Sequence, residues 1–310
     1  MNVKDFGPAV GGVVVGVTLT AMVHVFTQAG DSANGGLITP ITADGSLFTF
    51  IGHYLGYFFT HVPGLIMLIA SAVFYLITTI VTQHTTGDES DGLAVLRGIL
   101  IGIGASMNGV LAYNIYGPAF GSDTAGIIIA IVLFLLAAIS SVGTISKSDV
   151  YQGIIGWICW FAPMSWVVLV LGFLALIVSV LIGLILGLPT PWEVTKVGGK
   201  TGSAVAGKIV QADWKTGTFF LVGGIIANLN HFKTAFNLGN LGFVHRDAQS
   251  DHLQHEAGHN LNLFVFGWIF HLIGALDENL PVIGNGGRAF SERLANSNDP
   301  GSGDQLMMWN

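Results

Sequence analysis

Residues 152–188 read QGIIGWICWFAPMSWVVLVLGFLALIVSVLIGLILGL, without one charged side chain. As a single α-helix rising about 1.5 Å per residue this stretch would run about 55 Å, against an apolar bilayer core of about 30 Å. It is too long to cross once. It must turn near Pro163 or Gly172, giving a helical hairpin or one span plus an interfacial helix. The rest of the chain has the same character: of 310 residues, 52% are hydrophobic and only 9% are charged. Soluble domains carry roughly 25% charged residues. This composition excludes a disordered chain, a fibre, a nucleic-acid binder and an ordinary cytosolic enzyme. A net charge of −7 argues against a polybasic membrane-surface segment. The single cysteine, Cys159, cannot form an intramolecular disulfide.

Working outward, further apolar runs cover residues 7–27, 61–83, 93–113 and 126–145. The first is long for a signal peptide and reads as an uncleaved span. Residues 47–60 are aromatic-rich but short, which suits an interfacial helix. About six spans result. Lys4, Arg97, Lys147 and the lysines of 196–215 then fall on one side, so both termini are expected in the cytoplasm of an inner-membrane protein of bacterial type. Gly12/Gly16, Gly98/Gly102 and Gly183/Gly187 have the spacing of close helix contact, expected within the chain. The spans lack Asp and Glu between residues 44 and 88, 91 and 123, and 149 and 193, which disfavours a carrier or channel.

Of the eleven basic residues, only Lys4, Arg97 and Lys147 precede residue 188. This step divides a transmembrane helical domain, 1–188, from a polar domain, 189–310. Within the latter, Gly198-Gly199-Lys200-Thr201 is no phosphate loop, because Val194 stands where the pattern needs Gly. Residues 216–228 and 235–244 read as strands. They lead into His255-Glu256-Ala257-Gly258-His259 on an expected helix of about 251–275. On a helix, residues i and i+4 share a face, so His255 and His259 can present two imidazoles to one metal, with Glu256 beside them. Zn²⁺ accepts such ligands and lowers the pKa of bound water to about 7, and a neighbouring carboxylate can move that water's proton. Glu256 is the candidate catalytic residue, and Gly258 permits a close backbone approach.

A third ligand is required, and Glu278, Glu292, Asp277 and His271 are the candidates. Glu278 lies nineteen residues past His259, but Pro281 follows it closely and Val282, one turn on, cannot support a histidine. Glu292 sits in Ala289–Asn296 (AFSERLAN), with helical apolar spacing at Phe290 and Leu294, and Asn296 stands one turn on. The expected metal set is therefore His255, His259 and Glu292. The apolar stretch 263–276 is short for a span and suits burial or an interfacial helix. Residues 296–310 are expected to be a flexible tail or docking segment, in which Met307-Met308-Trp309 could pack on a neighbour.

Residues 235–296 resemble the gluzincin zinc metallopeptidases, and in particular bacterial membrane proteins in which a Leu/Gly-rich strand runs into a HExGH helix. The carrying residues are Phe236-Asn237-Leu238-Gly239-Asn240 with Gly242-Phe243-Val244, then His255 to Asn262, then Ser291-Glu292-Arg293-Leu294-Ala295-Asn296. The resemblance implies a small α+β zincin-like domain, zinc as cofactor, and hydrolysis of peptides or membrane proteins at the bilayer surface. The segment near 240–244 would pair with an extended substrate. Asn296 stands where that family more often has Asp. The alternative is a non-catalytic subunit that keeps this fold among partners in a larger membrane complex. Metzincins fit worse, because Asn262 and Val265 replace their Gly and His.

Overall fold

A computed structural model describes residues 7–29, 47–84, 89–187, 210–229, 234–248, 253–279, 288–299 and 308–309. The expected boundary at 188, the lysines at 4, 196, 200 and 208, and the Gly198–Thr201 run lie outside them. Eleven α-helices occur among the described residues: α1 (Gly7–Ala29), α2 (Leu47–Phe59), α3 (Val62–Gln83), α4 (Asp91–Ala119), α5 (Asp123–Ile139), α6 (Gly143–Ser146), α7 (Asp149–Ile158), α8 (Trp166–Leu186), α9 (Ile225–Asn228), α10 (Leu253–Asn279) and α11 (Phe290–Asn296). Four strands are interspersed: β1 (Val210–Asp213), β2 (Thr218–Val222), β3 (Ala235–Leu238) and β4 (Leu241–Val244).

Among the described residues, five helices are long and apolar enough to cross a membrane: Gly7–Thr27, Val62–Gln83, Asp91–Ala119, Pro163–Leu186 and Leu253–Asn279. The chain is thus a multi-pass membrane protein, with five span-length helices where about six were expected. Residues 152–188 contribute one of them, because the chain breaks at Cys159–Ser165 and Gly172 sits inside α8. α5 has 17 residues and falls short of span length. The stretch after the HExxH motif joins the motif's own helix and so reaches span length.

Two compact units emerge, and they interleave along the chain. One comprises Met1–Ile145, Ala162–Met164 and Val265–Phe290; the other comprises Ser146–Phe161, Ser165–Phe264 and Ser291–Asn310. The charge step follows solvation, whereas the units follow packing. An apolar stretch has the same composition whether it meets lipid or protein.

In the first unit, α1 packs on α4 through glycines. A β-carbon on Gly12 would collide with the Val95 carbonyl, and one on Gly98 with that of Ala9. Four of the spaced glycines therefore make an intrachain contact, as expected. In Gly102→Val the added side chain would meet the Val13 carbonyl oxygen, 2.5 Å from the β-carbon, and the α-carbon of Gly16 at 3.1 Å. Backbone atoms of a packed helix cannot yield cheaply, so the variant should lose about 1–3 kcal/mol. A lowered Tm in detergent checks this. Arg97 is buried in α4, and its guanidinium donates to both Glu89 oxygens at 2.8 Å. The aromatic face of α2 turns inward in this unit, with Tyr54, Tyr57 and Phe58 buried and Phe58 edge-on to Trp268 at 5.1 Å.

The second unit holds the sheet, ordered β1-β2-β4-β3. β1 and β2 are antiparallel, β2 and β4 parallel, and β4 and β3 form an antiparallel hairpin. Gly239 turns that hairpin at φ 72°, in the left-handed region that glycine tolerates. α10 runs on from the sheet and bends at Gly267 (φ 82°, ψ 176°).

Candidate metal centre

The centre is built from the first leg of α10 and from α11, both in the second unit. Helical spacing brings His255 and His259 together, their Nε2 atoms 3.1 Å apart and their rings near perpendicular at 87°. α11 supplies the carboxylate. Glu292 Oε2 lies 3.1 Å from His255 Nε2, and Oε1 lies 3.2 Å from His259 Nε2. One ligand atom from each of the three residues lies within 4.8 Å of the others. Tetrahedral ligands about 2.0–2.1 Å from a zinc ion would stand about 3.3 Å from one another. The His255–His259 separation and each ring's distance to its nearer Glu292 oxygen are close to that, so the donor set fits a small cation.

Gly258 lets the two helices approach. A β-carbon there would sit 2.6 Å from the Ala295 carbonyl oxygen and 2.9 Å from its α-carbon. The supporting bonds on either side of this crossing are polar. Asn298 Nδ2 donates to the Gln254 carbonyl at 2.7 Å, and Asn262 Nδ2 to that of Ser291 at 3.4 Å. His255 Nδ1 lies 2.7 Å from Asn296 Oδ1. An amide oxygen only accepts, so that contact puts a proton on Nδ1, and a cation taking the place of the Nε2 proton would bind through that nitrogen.

Glu292 and Arg293 are not solvated helix charges: their residues are only 7% and 2% exposed. Burial pushes the Glu292 carboxyl up, but the positive charge and hydrogen bonds of the protonated His259 and His255 rings beside it outweigh burial and hold it well below the usual carboxylate range. Glu256 lies on the same leg, 4% exposed, and its Oε2 has no hydrogen-bond partner among the described residues. That oxygen remains able to accept a hydrogen bond from a water or substrate group.

The other candidates fall elsewhere. Glu278 is exposed, with Oε2 accepting from Asn279 Nδ2 at 3.3 Å. Asp277 is buried in the first unit and accepts from the Tyr75 and Thr79 hydroxyls at 3.1 and 3.0 Å. His271 lies beyond the Gly267 bend and outside the cluster.

The expectation for the substrate strand needs correction. β4 is flanked by β2 and β3, so its ladder is filled on both sides and cannot take another strand. The edge strand tied to the motif is β3, through Asn237 Nδ2, which donates to the Glu256 carbonyl at 3.2 Å. Nor is all of the tail loose. Residues 300–307 lie outside the described residues, but Met308 and Trp309 are each 1% exposed. Trp309 Nε1 donates to Asn262 Oδ1 at 2.9 Å and its N–H to Ser297 Oγ at 3.0 Å. Trp309 thus packs on its own unit and braces α10 against α11.

Sequence reading assigned no structural role to Asn260 or Asn262, and expected Trp309 to pack on a neighbour. Asn260 Nδ2 donates to the Thr216 carbonyl at 2.8 Å and ties the motif helix to the β1–β2 turn. The available signal was Asn260-Leu261-Asn262, amides in an otherwise apolar helix, which must be hydrogen-bonded if buried. No family model, curated protein or solved structure matches this chain.

Proposed function

We propose that this chain is a membrane-embedded zinc metallopeptidase of gluzincin type that hydrolyses peptide bonds near the bilayer surface. The observation that carries this reading is the convergence of two imidazoles and one carboxylate, with a buried Glu256 on the same helix whose Oε2 has no partner among the described residues. His255, His259 and Glu292 would hold the zinc. A zinc ion there would supply a Lewis acid that polarises the scissile carbonyl and acidifies water. Glu256 takes a proton from the attacking water as its oxygen bonds to the carbonyl carbon. It then delivers that proton to the amide nitrogen as the C–N bond breaks, leaving a carboxylic acid and an amine. An extended substrate would lie along the outer edge of β3, which Asn237 ties to the backbone of Glu256. Peptide cleavage by the reconstituted protein, abolished by a zinc chelator and restored by Zn²⁺, tests the reading; cleavage indifferent to chelation overturns it.

One observation favours the second reading, a non-catalytic subunit with the same fold. Asn296 offers His255 a neutral amide oxygen instead of a carboxylate, which polarises the imidazole less. The two readings separate in Asn296→Asp. In an enzyme, turnover should rise by up to the roughly 10–100-fold that such outer partners are worth. In a structural subunit the substitution leaves peptidase activity absent.

A further inference from the structure

α7 carries apolar residues on both faces. Tyr151, Ile155 and Cys159 are buried within the second unit. The opposite face, which a soluble protein would make polar, presents Val150 (73% exposed), Ile154 (45%) and, just past the helix, Phe161 (65%), with Trp157 and Ile158 half-buried between them. These positions recur at three- and four-residue steps and form one stripe. Trp214, at the tip of the β1–β2 turn, extends it. It is 71% exposed and stacks on Trp157 at 5.4 Å. A shallow concavity of about 700 Å³ opens between helix and turn, and its only charged rim is the Lys215–Asp149 pair at 2.9 Å.

We propose that α7 and the β1–β2 turn are an interfacial anchor, with the Val150–Phe161 stripe and the Trp214 ring seated in the headgroup–acyl boundary of the bilayer. Continuity decides for lipid over a second protein. The stripe runs into α8, a helix of the same unit with span length whose Val170, Leu174 and Ile177 are exposed. An apolar exterior shared by a span and the helix that feeds it has one solvent. The rim has matching chemistry: Trp seats its amphipathic ring at the headgroup level, and Lys215, only partly exposed, can reach phosphate while its stem lies on apolar surface.

The other face of α7 explains why this matters. Cys159 Sγ donates to the Asn260 carbonyl at 3.6 Å, one residue past His259, and Asn240 Nδ2 donates to the Gly156 carbonyl at 2.9 Å. The motif leg of α10 therefore touches the residue that closes the anchor helix, and the hairpin before it is tied to that helix at Gly156. The anchor would hold the ligand set one helix away from the boundary. This inference stands apart from the peptidase reading and survives if the site turns nothing over.

The test uses the full chain in phosphatidylcholine/phosphatidylglycerol liposomes. Spin labels are placed on Val150→Cys, Ile154→Cys and, as an exposed reference in the same unit, Asp247→Cys; the native Cys159 is buried. The labels at 150 and 154 should show a several-fold higher ratio of oxygen to nickel-chelate accessibility than the label at 247. Bromine-labelled lipid should quench wild-type tryptophan fluorescence more than that of Trp214→Phe. Equal accessibility ratios at the three positions overturn the proposal. So does dipolar broadening between labels at 154, which would place a second copy on the stripe. Zinc content is unchanged in all these variants, so failure here is distinguishable from failure of the metal reading.

Discussion

Glu292→Ala should strip the purified protein of zinc, whereas Glu278→Ala should leave it loaded. Glu292 is the only carboxylate that the described structure brings to both histidines, at 3.1 and 3.2 Å. Removing it leaves two imidazoles, and structural and catalytic zinc sites alike need at least three protein ligands. Losing an outer hydrogen bond already costs about 10–100-fold in affinity, so losing a direct ligand should cost more than about 100-fold. Glu278 is exposed, accepts from its neighbour Asn279 and stands outside the His255/His259/Glu292 cluster. Metal analysis after equilibrium dialysis against a zinc buffer reads the ranking directly. Equal zinc content in the two variants, or loss only in Glu278→Ala, overturns the ligand assignment. A folded but empty Glu292→Ala protein is attainable, because other bonds that hold α11 and the residues after it on α10, such as Asn262 to the Ser291 carbonyl and Asn298 to Gln254, do not involve the carboxylate.

The clustering of His255, His259 and Glu292 was legible because each half of it is local. His255 and His259 share a helical face by spacing alone, and so do Glu292 and Asn296. The apolar helices were legible from composition. What could not be read depends on contacts remote in sequence. Which strand is central is decided by β2 pairing in parallel with β4, a join across more than twenty residues, so the segment expected to receive substrate proved to be sealed. The bond from Trp309 to Asn262 closes a similar gap, and nothing in a Gly/Ser/Asn-rich tail announces it. The break in the long apolar stretch was expected at Pro163 or Gly172, and local chemistry favoured both. Tertiary contact decides between them: Gly172 is consumed where α8 meets β3, since a β-carbon there would strike the Leu238 carbonyl. The interleaving of the two units has the same origin. The leg of α10 beyond Gly267 is as apolar as a lipid-facing helix, yet its Phe270 packs on Tyr75 at 5.0 Å and Phe290 at 5.7 Å.

In Glu256→Gln, peptide cleavage should fall by about 10²–10⁴ in kcat while zinc content stays at the wild-type level. The two readouts separate because Glu256 stands outside the ligand cluster. A glutamine fills the same space and keeps an oxygen beside the site, but it cannot take a proton from water or return one to the leaving nitrogen. The loss should therefore fall on kcat, with KM little changed, as for a group that acts only in the transition state. The backbone contact that ties Asn237 to residue 256 uses the carbonyl and is kept. Burial gives the variant a second signature. In the wild type a carboxylate oxygen is buried without a partner, a costly arrangement for a charge. Replacing it by a neutral amide should leave thermal stability unchanged or raised even as turnover collapses. A variant that loses zinc as well as activity would make Glu256 a ligand. One that keeps full cleavage would remove it from the chemistry, and with it the peptidase reading of this site.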